Sequence, residues 1–236
     1  MHIPYGPDRK MFQSFSKLKG YDDYLIAKVS YNCLGQDSIV NRDGQSVSGK
    51  TVEKEIPERL AGKYSDEWSA SGTVRVKKQR KNFVILELQG EQYLFTMTLF
   101  RPEHLESLAE SNKMMSQKPE MVKKTVSDHA IARHSFTVAE VSEFVESVHD
   151  TNRIHQMAIP IVPGLLMAEW FFTLLQSTDW EAVEMRFRVP VYVGQTLCIG
   201  KNAEKYICYG ENTRAVFWTA SVTKVARAAV ASLLVH

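Results

Sequence analysis

The sequence predicts an α+β fold in which an antiparallel sheet wraps around one central helix. Three observations carry this expectation. The run Gly164–Gln176 has helical length, and Leu165, Leu166, Met167, Ala168, Trp170, Phe171, Phe172, Leu174 and Leu175 cover its whole circumference. A helix that is apolar all round must be enclosed. Everything after it is β-like: Val183–Tyr192, Thr196–Ala203, Tyr206–Gly210, Thr213–Lys224 and Arg227–Val235. Four more strand-like runs come earlier, at Tyr24–Tyr31, Ala70–Lys77, Asn82–Leu88 and Tyr93–Phe100. A sheet of that many strands twists enough to curl round a single helix and bury it.

The elements follow in chain order. The first half is strand-rich and contains no convincing apolar helix. Leu34–Ser48 is rich in Gly, Asn, Asp and Ser and reads as loop. In Asn82–Leu88 both faces carry apolar residues, and Gln89-Gly90-Glu91 reads as the turn of a hairpin. The basic run Arg75–Lys81 reads as a solvated hairpin turn; it lacks the aromatic or glycine pattern of a nucleic-acid surface. In Pro102–Ser127, Leu105, Leu108 and the Met114-Met115 pair suit a short surface helix, and Ser116–Lys124 is polar. The boundary is placed there, giving an N-terminal domain 1–115 and a C-terminal domain 116–236. The second half begins with a helix. Thr137 and Glu140 form a capping box, and Val138, Val141, Phe144, Val145 and Val148 give one apolar face ending near His149. Asp150–Gln156 is then a turn.

Composition narrows the classes. At 236 residues and net charge +2 the chain suits one large domain or two small ones. Cys33, Cys198 and Cys208 are odd in number and lack paired spacing, which argues against a disulfide framework and a zinc site. Cys198 and Cys208 fall in strand-like runs and read as core or sheet residues. The first ten residues carry no apolar signal, and the apolar stretch Ile159–Leu175 is broken by prolines and Glu169. A soluble cytoplasmic protein is expected.

The chemistry concentrates between His149 and Trp170. Asp150, Asn152 and His155 stand within six residues, just before Pro163-Gly164 and the apolar helix. A carboxylate beside an imidazole can fix its tautomer or share the activation of water. The Gly164 amide, at the positive end of the following helix, can hold an oxygen on which charge develops. That set suits proton transfer beside a thioester carbonyl. The plainer reading is a structural turn, because Asp and Asn bond their own backbone. No serine or cysteine nucleophile motif lies nearby.

His149–Trp170 resembles the active-site segment of the MaoC-like (R)-specific enoyl-CoA hydratases, which have the hotdog fold. Their Gly-Asp-x-Asn-Pro-x-His signature stands here as His149-Asp150-Thr151-Asn152-Arg153-Ile154-His155, and their Pro-Ile-Val-His-Gly as Pro160-Ile161-Val162-Pro163-Gly164. Arg186-Phe187, Pro190, Gly194 and Leu197 resemble a later strand pair. The chain departs from the signature at His149, Arg153 and Pro163. His155, Pro160, Pro163, Gly164 and Glu169 also fit the spacing of the bacterial 3-hydroxyacyl-ACP dehydratases, in which the His and a helix Glu form the pair.

The resemblance implies two hotdog units in one chain, a degenerate one over 1–115 and a catalytic one over 116–236, with the first helping to form an acyl tunnel. It implies a hydratase or dehydratase of acyl thioesters of coenzyme A or acyl carrier protein, with no cofactor and a homodimeric state. Asp150 and His155 would handle water and its protons, Gly164 the thioester oxygen, and Asn152 and Glu169 supporting or catalytic roles. Arg153, Arg186 and Arg188 are candidates to meet a phosphate. The competing expectations are a thioester hydrolase using Glu169 or Asp150 as base, and a non-catalytic acyl-binding subunit.

Overall fold

The structure, a computed structural model, describes residues 7, 9–16, 21, 24–34, 73–90, 93–101, 130–175, 180–203 and 205–224. In chain order these form α1 (Arg9–Ser16), β1 (Leu25–Cys33), β2 (Thr73–Arg80), β3 (Phe83–Gln89), β4 (Tyr93–Phe100) and β5 (Ala130–Ser135). Then come α2 (Val138–Val148), a 3₁₀ turn (Arg153–His155), α3 (Gly164–Leu175), β6 (Trp180–Phe187), β7 (Thr196–Asn202), β8 (Lys205–Gly210) and β9 (Val216–Lys224). The strands make one sheet in the order β2-β3-β4-β1-β6-β9-β8-β7-β5.

That order is built from two like units. Outward from the central β1–β6 pair, one half runs β1, β4, β3, β2 and the other β6, β9, β8, β7, with β5 added at the far edge. The seam is antiparallel, with Val29 opposite Met185 and Tyr31 opposite Val183. The first half therefore completes the sheet of the second through backbone hydrogen bonds. The boundary expected at 115 lies outside the described residues, as do the surface helix around Leu105–Met115 and the strand Arg227–Val235.

Helix α3 packs on the inner face of this sheet. Phe171 meets Trp218 at 5.2 Å and Tyr206 at 5.0 Å, while Phe172 meets Trp180 at 5.5 Å and Tyr31 at 5.9 Å. Burial of Leu165, Leu166, Met167, Ala168, Phe171, Phe172 and Leu175 anchors the helix. Enclosure is incomplete, however, since Thr173 is exposed and Glu169 and Trp170 are half-buried. The apolar surround that the sequence suggests leaves one line of the helix open.

Three further expectations are corrected. The basic run does not form a turn: Arg75–Arg80 belongs to β2, an edge strand, and the turn is Lys81-Asn82. Its cations have a use there, because Arg75 and Lys77 close on the buried Glu87 of β3 at 3.0 and 2.6 Å. The first half does have a helix, α1, which buries Met11, Phe12 and Phe15 on one side. Among the described residues the second half begins with β5 rather than with α2. Its Ile131 and Arg133 face outward, so its alternation carries too little apolar contrast to read as a strand.

Candidate active site

The polar turn is set by how α2 ends. The capping box at its start is present, with Thr137 and Glu140 bonded reciprocally. At its end His149 is left-handed, at φ 55° and ψ 37°. The amides of His149 and Asp150 return to Glu146 O and Val145 O at 3.2 and 2.9 Å, which is a Schellman closure. This is where the hydratase signature has glycine. His149 occupies a conformation that penalises a Cβ. Replacement by glycine is therefore expected to stabilise the fold by about 1 kcal/mol, raising Tm by roughly 2–4 °C in a chain of this size. Calorimetric melting of His149→Gly checks it.

Asp150 Oδ1 accepts the Asn152 amide at 2.9 Å, which turns the chain and leaves Oδ2 directed at His155 Nε2, 3.6 Å away. Asn152 caps the 3₁₀ turn: its Oδ1 accepts from Ile154 N at 3.3 Å, and its Nδ2 donates to Tyr24 O at 2.9 Å. The second bond reaches the start of β1, so Asn152 ties the polar turn to the other half of the sheet. Asn152 thus positions the turn.

His155 is held from behind. Its Nδ1 lies 2.6 Å from Ile161 O. A carbonyl can only accept, so Nδ1 carries the proton and Nε2 presents a lone pair when the ring is neutral. Burial pushes the imidazole below its ordinary value of 6.5, outweighing the Asp150 charge and the Ile161 carbonyl, which act the other way. Because the folded ring resists protonation and the unfolded one does not, the stability it contributes is present above pH 6.5 and lost as pH falls toward the lowered value. If the neutral ring is the working form, the acid limb of a kcat/KM profile falls below pH 6.5. A limb centred above 6.5 would contradict that.

Gly164 opens α3 beside this pair. The first helical bond of α3 runs from Met167 N to Pro163 O, and amides of a first turn have no intrahelical acceptor. A Cβ on Gly164 would stand 3.1 Å from the Ile26 side chain. Glycine here lets β1 of the first half approach the start of α3.

One cavity of about 330 Å³ takes in all four residues: Asp150, Asn152, His155 and Gly164 line it. Its remaining wall is largely apolar and comes from both halves, including Phe12, Phe15, Leu86, Met97 and Leu99 of the first and Ile161, Leu165 and Met167 of the second. Glu169 stands elsewhere. Arg9 of α1 grips both its oxygens, Nε to Oε1 at 2.9 Å and Nη2 to Oε2 at 3.3 Å. Of the three arginines singled out from sequence, Arg188 lines the cavity, and Arg186 pairs with Glu184 at 2.7 Å. The cavity residues of the first half, Phe12, Tyr24 and Ile26 among them, carry no sequence signal, since apolar residues near a strand start mark any core. Cys198 and Cys208 are buried in β7 and β8. Among the described residues no three His, Cys, Asp or Glu side chains stand together as a metal would require. Nor is any described helix long and apolar enough to cross a membrane.

No protein-family model and no curated protein matches the sequence. Solved structures do. The chain is similar to HtdX of Mycobacterium tuberculosis at a TM-score of 0.55 and 11% identity, over 95% of this chain and 90% of that one. It is similar to the full-length peroxisomal multifunctional enzyme type 2 of Drosophila melanogaster at a TM-score of 0.50 and 15% identity, over 94% of this chain and 42% of that one. Together with the sheet order and the central helix, these likenesses establish the architecture: the chain has an α+β hotdog fold, its two half-sheets joined at the β1–β6 seam.

Proposed function

We propose that this protein interconverts a 3-hydroxyacyl thioester and its trans-2-enoyl thioester by adding or removing water. The observation that carries the reading is a pair of acceptors facing each other across 3.6 Å on one cavity, His155 Nε2 and Asp150 Oδ2. Two acceptors so placed repel unless a donor bridges them. A water molecule seated beside the pair, donating one hydrogen to each, satisfies both.

With an enoyl thioester in the cavity, the water oxygen forms a bond to C3 and the C2–C3 π pair moves toward the carbonyl. One of the two groups takes the water's proton, and a proton from the pair reaches C2 as the enolate collapses. Atoms balance with water alone. The Gly164 amide, at the positive end of α3, holds the thioester oxygen while it carries charge. The apolar wall accepts the acyl chain, and Arg188, exposed on the same cavity, suits a phosphate of the coenzyme A or carrier-protein arm. The sequence resemblance to MaoC-like hydratases supports the same assignment.

The test is incubation with butenoyl-coenzyme A, following the conjugated thioester absorbance. Its loss without release of free thiol supports hydration. Thiol release at the same rate means hydrolysis instead, and ligand-induced thermal stabilisation with no turnover means an acyl-binding subunit. Hydrolysis with Glu169 as base has little support, because Arg9 engages both of its oxygens.

A further inference from the structure

The residues that line the cavity differ in exposure. Phe100 is 42% exposed, and Thr151 and Arg188 are exposed. Phe12, Phe15, Leu86 and Met97 are all buried. Phe12 and Phe15 come from α1, and both lean on Phe95 of β4, at 6.0 and 5.5 Å between ring centres. An eight-residue helix is too short to hold itself. What fixes α1 to the second half is the Phe12 ring against Phe144 of α2, 6.2 Å between centres, together with a set of contacts made by its polar side chains. Arg9 reaches Glu169 of α3, and also Glu143 and Ser147 of α2 at 3.1 and 3.3 Å. Gln13 donates to Ser147 O at 2.6 Å, and the Arg9 guanidinium lies 5.5 Å over the Phe144 ring.

We propose that Phe12 and Phe15 form the end wall of the acyl cavity, and that the Arg9–Glu169 ion pair, by fixing α1, sets the length of acyl chain the protein accepts. This rests on reading the cavity as an acyl-thioester site. It gives Glu169 a positioning role, on the helix where the dehydratase spacing would make it the catalytic acid. A chain that reaches the wall gains nothing from further methylenes. A shortened or loosened wall admits them, each worth about fourfold in affinity.

Binding of saturated acyl-coenzyme A, which cannot be hydrated, separates the wall from the chemistry. Butanoyl, octanoyl, dodecanoyl and hexadecanoyl forms are titrated calorimetrically into the full chain. Phe15→Ala is expected to raise the hexadecanoyl-to-butanoyl affinity ratio by about fifteenfold for every two methylenes admitted. Phe15→Leu, which keeps most of the apolar volume and guards against failure to fold, should move the ratio the same way by less. Arg9→Gln and Glu169→Gln should each raise it, and the double variant no further than the larger single one, as for two ends of one interaction. An unchanged ratio in both Phe15 variants, with all four ligands still binding, overturns the wall. Loss of butenoyl turnover in Glu169→Gln with an unchanged ratio overturns the positioning role and makes Glu169 catalytic. Failure of every acyl-coenzyme A to bind the wild-type chain overturns the functional reading, and this inference with it.

Discussion

Asp150→Asn is expected to lower kcat/KM for a short enoyl thioester by about 10²–10⁴-fold, the range for loss of a general acid or base, while the protein stays folded. The substitution is unusually clean here. Asp150 Oδ1 accepts the Asn152 amide, and an asparagine carbonyl at 150 can do the same, so the turn survives. What changes is the group facing His155, from a carboxylate to an amide that donates. The water site bridged by two acceptors then becomes one flanked by a donor and an acceptor. His155→Ala should cost as much activity, with an added stability loss of about 1–3 kcal/mol because Ile161 O is left without its donor. The pH profile separates a chemical role from a structural one. The Asp150 charge holds the His155 imidazole up against the pull of burial. Without it the ring becomes harder to protonate, and the acid limb of the residual Asp150→Asn activity moves to lower pH. Steady-state kinetics across pH, with melting curves on each variant, decides this. Retention of full activity by both variants would remove the mechanism.

The parts of this molecule that were legible in the sequence are those fixed by neighbours along the chain. The capping box at Thr137 and Glu140, the stop at His149 and the apolar run from Gly164 are all local patterns, and they place α2, the polar turn and α3 within a residue or so. β3 and β4 were legible because alternation and a Gly-marked turn are local too. The misses have a different origin. Helix α1 is stable only because Phe95 and Phe144 receive its aromatic face and Arg9 finds acids more than 130 residues away. No window around residues 9–16 contains those partners. β5 is an edge strand with one face in solvent, so its outward charges blur the period of two; β2, read as the strand-like run Ala70–Lys77, is also an edge strand, and the same blurring hides its continuation to Arg80. The same limit applies at the site. Asp150, Asn152 and His155 were legible as a cluster, whereas Tyr24 and Ile26, which shape it from the first half, become visible only once the β1–β6 seam folds them there. Glu169 shows the limit most plainly. Its spacing from His155 fits a catalytic template, and its role is decided by an arginine 160 positions earlier in the chain.

Asn152→Ala should be the most costly single change outside the catalytic pair, in stability and activity together. The side chain is nearly buried, at 9% exposure, and both ends of its amide are engaged. Removing it leaves the Ile154 amide and the Tyr24 carbonyl without partners, at about 1–3 kcal/mol for each group, so a total of roughly 2–6 kcal/mol. Activity falls too, because Ile154 and His155 share the turn that Asn152 caps. Asn152→Asp distinguishes this account from a simple packing loss. An aspartate at 152 keeps the acceptor for Ile154 N but sets a carboxylate against the Tyr24 carbonyl, two acceptors with no proton between them. At neutral pH the aspartate variant should therefore be no more stable than the alanine variant, although it is nearly isosteric with asparagine. Protonation restores a donor. The folded-state carboxyl is raised above its ordinary value, so the aspartate variant gains stability relative to alanine as pH falls through that raised value, and the gain is complete below the ordinary one. Denaturant midpoints for the two variants at neutral and mildly acidic pH measure the crossing. If the aspartate variant matches wild type at neutral pH, Asn152 Nδ2 is not holding the polar turn to the first half.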